Sequence, residues 1–209
     1  MLINEIFYSL QGEGKLMGLP TVFIRTSTCN LRCSYCDTAF AYKEGTEMSI
    51  DTILKNIETY HCSHICITGG EPLLQKEVVT IIKQLIDLDY LCSIETNGSI
   101  DITPLLRFQP LVISLDVKCP SSRMSDQMDS ENIRRLRPQD QIKFIIGDKQ
   151  DFSYAIQILK DTDTPCPMYM QPVWGLDLSL LASWILDEHL PLRLGLQQHK
   201  IIWGSTTHH

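Results

Sequence analysis

No run of apolar residues approaches the roughly 20 that a membrane-spanning helix needs, so no such helix is expected. Nor is there a basic excess. With 18 Lys+Arg against 25 Asp+Glu the formal net charge is −7, which gives no general attraction to nucleic acid or to an anionic membrane surface. Neither is expected as a partner. The start, Met1-Leu2-Ile3-Asn4-Glu5, lacks a basic segment and carries an acid early, so no secretory leader is expected. A cytoplasmic location follows, where thiols stay reduced, and disulfides then do not account for the eight cysteines. No solenoid-length repeat and no low-complexity linker divides the 209 residues, so one domain over 1–209 is expected. The most polar stretch, Ser121–Gln141, is too short to separate two domains.

What is present is alternation. Short runs rich in β-branched residues occur at Thr21–Arg25, Ile65–Thr68, Leu91–Glu95, Leu111–Leu115, Gln141–Ile146 and Met168–Gln171. Amphipathic stripes lie between them. Ser49 is placed to cap a helix with Ile50, Ile53, Leu54 and Ile57 on one face. Val78, Ile82, Leu85 and Ile86 form a second stripe, Phe152, Ile156 and Leu159 behind an Asp151 cap a third, and Leu178, Leu181, Ile185 and Leu186 a fourth. The segments near Leu105 and Ile133 are weaker. Strand–helix alternation of this kind builds a parallel sheet through right-handed crossovers. About six βα units are too few to close an eight-fold barrel, so the expected fold is α/β, a partial, open parallel βα barrel. The carboxyl ends of its strands share one rim. Cys29–Thr38, Thr68–Pro72, Glu95–Gly98, Asp116–Lys118 and Gln171–Val173 all follow strands and therefore converge there.

Cys29, Cys33 and Cys36 have the spacing C-x3-C-x2-C. Three thiolates on one loop suit a soft metal centre, and leave one position of a four-ligand site open. Buried small side chains, or a zinc completed by a distant histidine, are the alternatives. A second group, His61-Cys62-Ser63-His64-Ile65-Cys66, also has metal-ligating side chains, but it straddles a turn and a strand and reads as packing. Cys92 reads as core, and Cys119 and Cys166 sit beside prolines. The final Thr206-Thr207-His208-His209 is given no role.

At the cysteine loop and at Thr68-Gly69-Gly70-Glu71-Pro72 the chain resembles the radical S-adenosylmethionine (SAM) enzymes. Within that superfamily it is similar, over nearly its whole length, to the 7-carboxy-7-deazaguanine synthase family of queuosine biosynthesis. The carriers are Asn4–Gly14, Phe23-Ile24-Arg25, Cys36-Asp37-Thr38, Asp116-Val117-Lys118 with Pro120-Ser121-Ser122, and Gln198-His199-Lys200 with Trp203-Gly204. The resemblance implies a reduced radical SAM core and a lyase that turns 6-carboxy-5,6,7,8-tetrahydropterin into 7-carboxy-7-deazaguanine with loss of ammonia. It also implies a homodimer and an electron donor such as a flavodoxin. Competing readings are a glycyl-radical-activating enzyme, which shares the cysteine spacing, and a zinc-stabilised interaction module.

The resemblance also distributes roles. Cys29, Cys33 and Cys36 would hold a [4Fe–4S] cluster, and Thr38 a Mg²⁺ ion, although on the sequence alone Asp37-Thr38 reads as a turn and helix cap. SAM would be met by Tyr35, Asp37, Gly70 and Glu71, and by Glu95, Asn97, Asp116, Val117, Lys118 and Gln171. Gly69-Gly70 alone would pass for a strand-end turn, and Glu71 for a helix cap. The pterin would be met by Leu10, Gln11, Gly12, Glu13, Arg25, Thr68 and His199. Arg25 suits a carboxylate, and also suits an ion pair at a strand end.

Overall fold

A computed structural model describes residues 1–204; the Thr206–His209 tail lies outside them. In chain order the elements are β1 (Leu2–Leu10), β2 (Pro20–Thr26), β3 (Thr46–Glu47), α1 (Ile50–Glu58), β4 (His64–Gly69), α2 (Val78–Asp87), β5 (Leu91–Thr96) and β6 (Val112–Lys118). There follow α3 (Glu131–Arg135), β7 (Gln141–Ile146), α4 (Lys149–Asp161), β8 (Met168–Pro172), α5 (Leu178–Glu188), β9 (Leu192–Leu194) and α6 (Gln198–Trp203). The strands form one sheet in the order β3-β1-β2-β4-β5-β6-β7-β8-β9. From β2 to β9 every neighbouring pair is parallel. The order starts at β3 and stops at β9, so the barrel is open, as expected.

All six expected strands are present, as β2 and β4 to β8. Three more extend the sheet. β9 adds a seventh parallel strand, and β1 with β3 adds an antiparallel edge beside β2. β1 carries a bulge between Ile3 and Glu5 and mixes polar and apolar residues on both faces, so its sequence shows no clean period of two.

The helices follow their stripes. Ser49 caps α1 by accepting from the Thr52 amide, and Ile53 and Ile57 are buried. Val78, Ile81, Ile82 and Leu85 of α2 join the same core as Ile65 and Ile67 of β4. Burying each such side chain fully contributes about 1.5–3 kcal/mol. The cap of α4 differs from expectation. Asp148, not Asp151, is the cap residue, and it accepts from the Asp151 amide. Asp151 is fully buried instead, and accepts from the amides of Ser121 and Gly147. It thereby fixes Ser121–Gln141, which folds as two 3-10 turns (Pro120–Ser122, Ser125–Gln127) and α3. The segment near Leu105 is likewise a 3-10 turn.

Candidate active site

The strand ends open on one cavity of about 520 Å³, within the range usual for small-molecule sites. Cys29, Cys33 and Cys36 line it as free thiols, each partly buried. Among the described residues no three His, Cys, Asp or Glu side chains converge closely enough to hold a single ion. Three thiols on one cavity wall suit a multi-iron cluster, in which each cysteine binds its own iron. Burial, above all, pushes the Cys29 and Cys33 thiols up, and the charge of Cys36 adds to it in both. A bound cation would reverse that cost.

The loop owes its shape to three neighbours. Thr68–Glu71 zips onto its entrance, with the amides of Gly70 and Glu71 donating to the carbonyls of Thr26 and Thr28. A Cβ on Gly69 would stand 2.2 Å from the Thr26 carbonyl, and one on Gly70 2.0 Å from the Thr28 carbonyl. These glycines are therefore required by chain packing against the cysteine loop, and Gly70 still faces the cavity. Asn97 donates to the Cys29 sulfur at 3.7 Å and to Asn30 Oδ1 at 3.1 Å. On the far side Ser34 donates its amide to Ser122 O and its hydroxyl to Ser121 O. The polar stretch whose fold was obscure in the sequence thus anchors the cysteines.

Two residues assigned to SAM by resemblance do not line this cavity. Glu71 is fully buried, and its carboxylate accepts from the Leu73 amide, the Asn97 amide and the Thr96 hydroxyl. It is the cap that the alternative reading foresaw, and it also braces the end of β5. Burial raises it to about 7, against those three donors. Val117 faces the outer layer and lines a smaller cavity with Met128 and Ile133. Consecutive strand residues point to opposite faces, so with Asp116 and Lys118 inside, Val117 must point out.

The other assigned residues do line the cavity. Tyr35 Oη and both amide atoms of Gln171 are buried without a hydrogen-bond partner, which is the condition of groups awaiting a ligand. Asp116 pairs with Lys118 at 3.0 Å, and that ion pair, with a second to Lys143, outweighs burial and holds its carboxyl low. Asp37 sits at the mouth beside Thr38, whose hydroxyl donates to it at 3.0 Å. Its ion pair with Lys200 overcomes burial and keeps it ionised.

On the β1 side, Arg25 donates from Nε to Glu5 at 2.7 Å and lies over the rings of Phe7 and Phe40. The ion-pair reading of Arg25 therefore holds, and the residue also lines the cavity. Gln11 is buried and turned inward, its amide nitrogen 3.3 Å from Glu95 Oε1 and 3.6 Å from the Cys66 sulfur. Thr68 donates its hydroxyl to the other Glu95 oxygen at 3.3 Å. Burial raises the Glu95 carboxyl, with the charges of Glu13 and Asp116 adding to it against the opposing Lys143 and Arg25 cations. Glu13 is engaged by Lys143 and Gln197, and Leu10 and Gly12 complete this wall beside His199. Burial first, then the Lys200 ammonium, push His199 below the ordinary histidine value.

The second metal-like group is packing. His64 is buried between Thr21 and Ser93, 2.7 Å and 3.2 Å from their hydroxyls, and Cys66 is fully buried. Sequence reasoning missed Lys143. It stands in a run that reads as apolar core, but Gln141 and Lys143 keep the inward period of two, and that was the available signal.

Comparison with known proteins extends beyond the site. The profile of the radical SAM superfamily matches residues 23–161. The chain is 37% identical over 205 residues, 98% of each chain, to the 7-carboxy-7-deazaguanine synthase of Thermoplasma acidophilum. It is 41% identical over 203 residues to that of Methanospirillum hungatei, covering 97% of this chain and 85% of the relative. Its fold is similar to the crystal structure of QueE from Escherichia coli, with a TM-score of 0.77, 24% identity and coverage of 95% and 94% of the two chains.

Proposed function

The chain belongs to the radical SAM superfamily and, within it, to the 7-carboxy-7-deazaguanine synthase family, and from that premise we propose how its cavity performs the reaction. The enzyme is a lyase of 7-deazapurine biosynthesis that forms 7-carboxy-7-deazaguanine. Its cofactors are a [4Fe–4S] cluster and SAM. When bound, they supply one-electron chemistry that removes a hydrogen atom from the substrate. We take the substrate to be 6-carboxy-5,6,7,8-tetrahydropterin. Substrate and product then differ by the elements of ammonia alone, so the carbon–nitrogen cleavage needs no net oxidant.

Cys29, Cys33 and Cys36 are the residues that would hold the cluster, on the wall that Asn97 and Gly70 shape. Tyr35, Gln171, Asp116 and Lys118 offer SAM unpaired or charged groups on the adjoining strands, with Asp37 at the mouth. Glu71 and Val117 act from behind, by holding β5 and β6 in place. Arg25 takes the substrate carboxylate, and Thr38 would hold a Mg²⁺ ion. Gln11, Gly12, Glu13, Glu95, Thr68 and His199 surround the ring, with Leu10 packing against it. Excluding water from a radical and fixing the reacting atoms near contact distance is what yields one product. A single domain over 1–209, a homodimer and a flavodoxin-type reductant belong to the same proposal.

The observation that carries this reading is that the three cysteines and Arg25 open on one cavity. The test is anaerobic reconstitution with iron and sulfide, followed by assay with SAM, reductant and the tetrahydropterin. Ammonia release with SAM recovered intact is the expected result. Intact SAM cleavage with no ammonia from any tetrahydropterin would remove the synthase reading.

A further inference from the structure

Lys143 is charged, 1% exposed and inside the barrel, where it lines the cavity. It stands on β7 directly opposite Asp116 of β6. Its ammonium donates to Glu13 Oε2 at 2.7 Å and lies 3.0 Å from Asp116 Oδ1. Those two carboxylates and Glu95 overcome burial and keep it protonated. An ammonium has three N–H donors. One is held by Glu13 and the ammonium also ion-pairs with Asp116, and among the described residues it has no further hydrogen-bond acceptor. A buried donor without an acceptor is costly, and here it faces a cavity built for a ligand.

The chemistry of the pterin, on the substrate assignment made above, identifies what it meets. Arg25 is on β2 and Lys143 on β7, four strand steps apart in the sheet order, and the substrate carboxylate is already assigned to Arg25. With the carboxylate at Arg25, the ring's pyrimidinone edge is left for the β5–β7 side. That edge presents a 2-amino donor, an N3–H donor and a 4-oxo acceptor. Glu95 on β5 is an acceptor for the donors, and Lys143 is a donor for the oxygen. We propose that Lys143 contacts the substrate directly, donating its third N–H to the 4-oxo oxygen, and that it makes the site selective for 4-oxo over 4-amino pteridines. A 4-amino group would aim its own hydrogens at the ammonium. Glu13 and Asp116 act here as positioning residues, holding the ammonium between the pterin wall and the SAM wall.

The test is equilibrium binding to the reconstituted holoenzyme with SAM, under anaerobic conditions, read by tryptophan fluorescence. The probes are 6-carboxytetrahydropterin and its 4-amino counterpart. The wild type is expected to bind the 4-oxo compound at least about tenfold more tightly, and Lys143→Gln is expected to lose about ten- to hundredfold in that affinity while its discrimination falls below about threefold. Lys143→Arg keeps part of the discrimination. Equal binding of the two compounds by the wild type overturns the proposal, and so does full discrimination by a folded Lys143→Gln. Should that variant fail to fold, the wild-type comparison still decides. If the wild type binds neither pteridine and releases no ammonia, the substrate assignment falls and this contact with it; ammonia release without discrimination removes the Lys143 contact alone.

Discussion

Gly12 and His199 touch across the cavity mouth: a methyl group on Gly12 would stand 2.0 Å from His199 Nδ1. The contact is reinforced by the backbone, because the Gln198 amide donates to the Gly12 carbonyl at 2.9 Å. The loop after β1 and the start of α6 are thus one wall. Gly12→Ala is expected to displace the imidazole and lower turnover about a hundredfold, since misplacement by about 1 Å costs that much. Iron and sulfide content should stay at the wild-type level. Unchanged turnover in this variant would remove His199 from the substrate wall.

Cys33→Ala is expected to abolish SAM cleavage and to lose the brown chromophore on reconstitution. Iron and acid-labile sulfide analysis checks it. A variant that kept about four irons per chain and cleaved SAM normally would defeat the assignment of Cys33 as a ligand.

Thr38→Ala should act differently. The cluster is expected to form normally and SAM to bind, while the stimulation of ammonia release by Mg²⁺ is weakened. Titrating turnover against Mg²⁺ reads this. Loss of the cluster would show that Thr38 supports the cysteine loop and not a divalent ion.

Glu71 separates bracing from direct contact. Glu71→Gln leaves one of the three donors poorly matched, and a stability loss of about 1–3 kcal/mol is expected from urea melts. SAM affinity should stay within about threefold, because the side chain does not line the cavity. A loss well beyond tenfold would restore direct contact with the cofactor.

His64 gives a pH dependence. Burial pushes it below the ordinary 6.5, so it stays neutral where the unfolded chain has already taken up a proton. The unfolded state then binds more protons, and its contribution to stability is lost as the pH falls from about 6.5 towards the folded value. Thr21 donates its hydroxyl to the Leu19 carbonyl, so it accepts from His64 Nδ1–H, and Nε2 accepts from Ser93. Denaturant melts between pH 5 and 8 are expected to show this slope in the wild type and a flatter one in His64→Gln. Parallel slopes would remove His64 as the source.

Much of this was legible in the residues themselves. Six parallel strands follow from runs such as Ile65–Thr68, buried on both faces and therefore mostly apolar. The convergence of Cys29, Asn97, Asp116 and Gln171 follows from strand ends alone. What stayed hidden depended on partners distant in sequence. β1 has no clean alternation, because its bulge and its place beside the two-residue edge strand β3 relax the pattern. Glu71 looks like a ligand group until Thr96 and Asn97 are seen to occupy its carboxylate. Lys143 looks like an interruption in a core strand until Glu13 and Asp116 are seen around it. A local pattern reports a residue's face, whereas the use of a buried charge is decided by groups more than a hundred positions away, as with Glu13 and Lys143.

The ion pair between Asp37 and Lys200 joins positions 163 residues apart. Because a nascent chain emerges from its amino end first, the thiol loop is out of the ribosome long before Lys200 has been made. The contact that ties α6 to the cysteine loop at the cavity mouth therefore cannot form until residue 200 has been added.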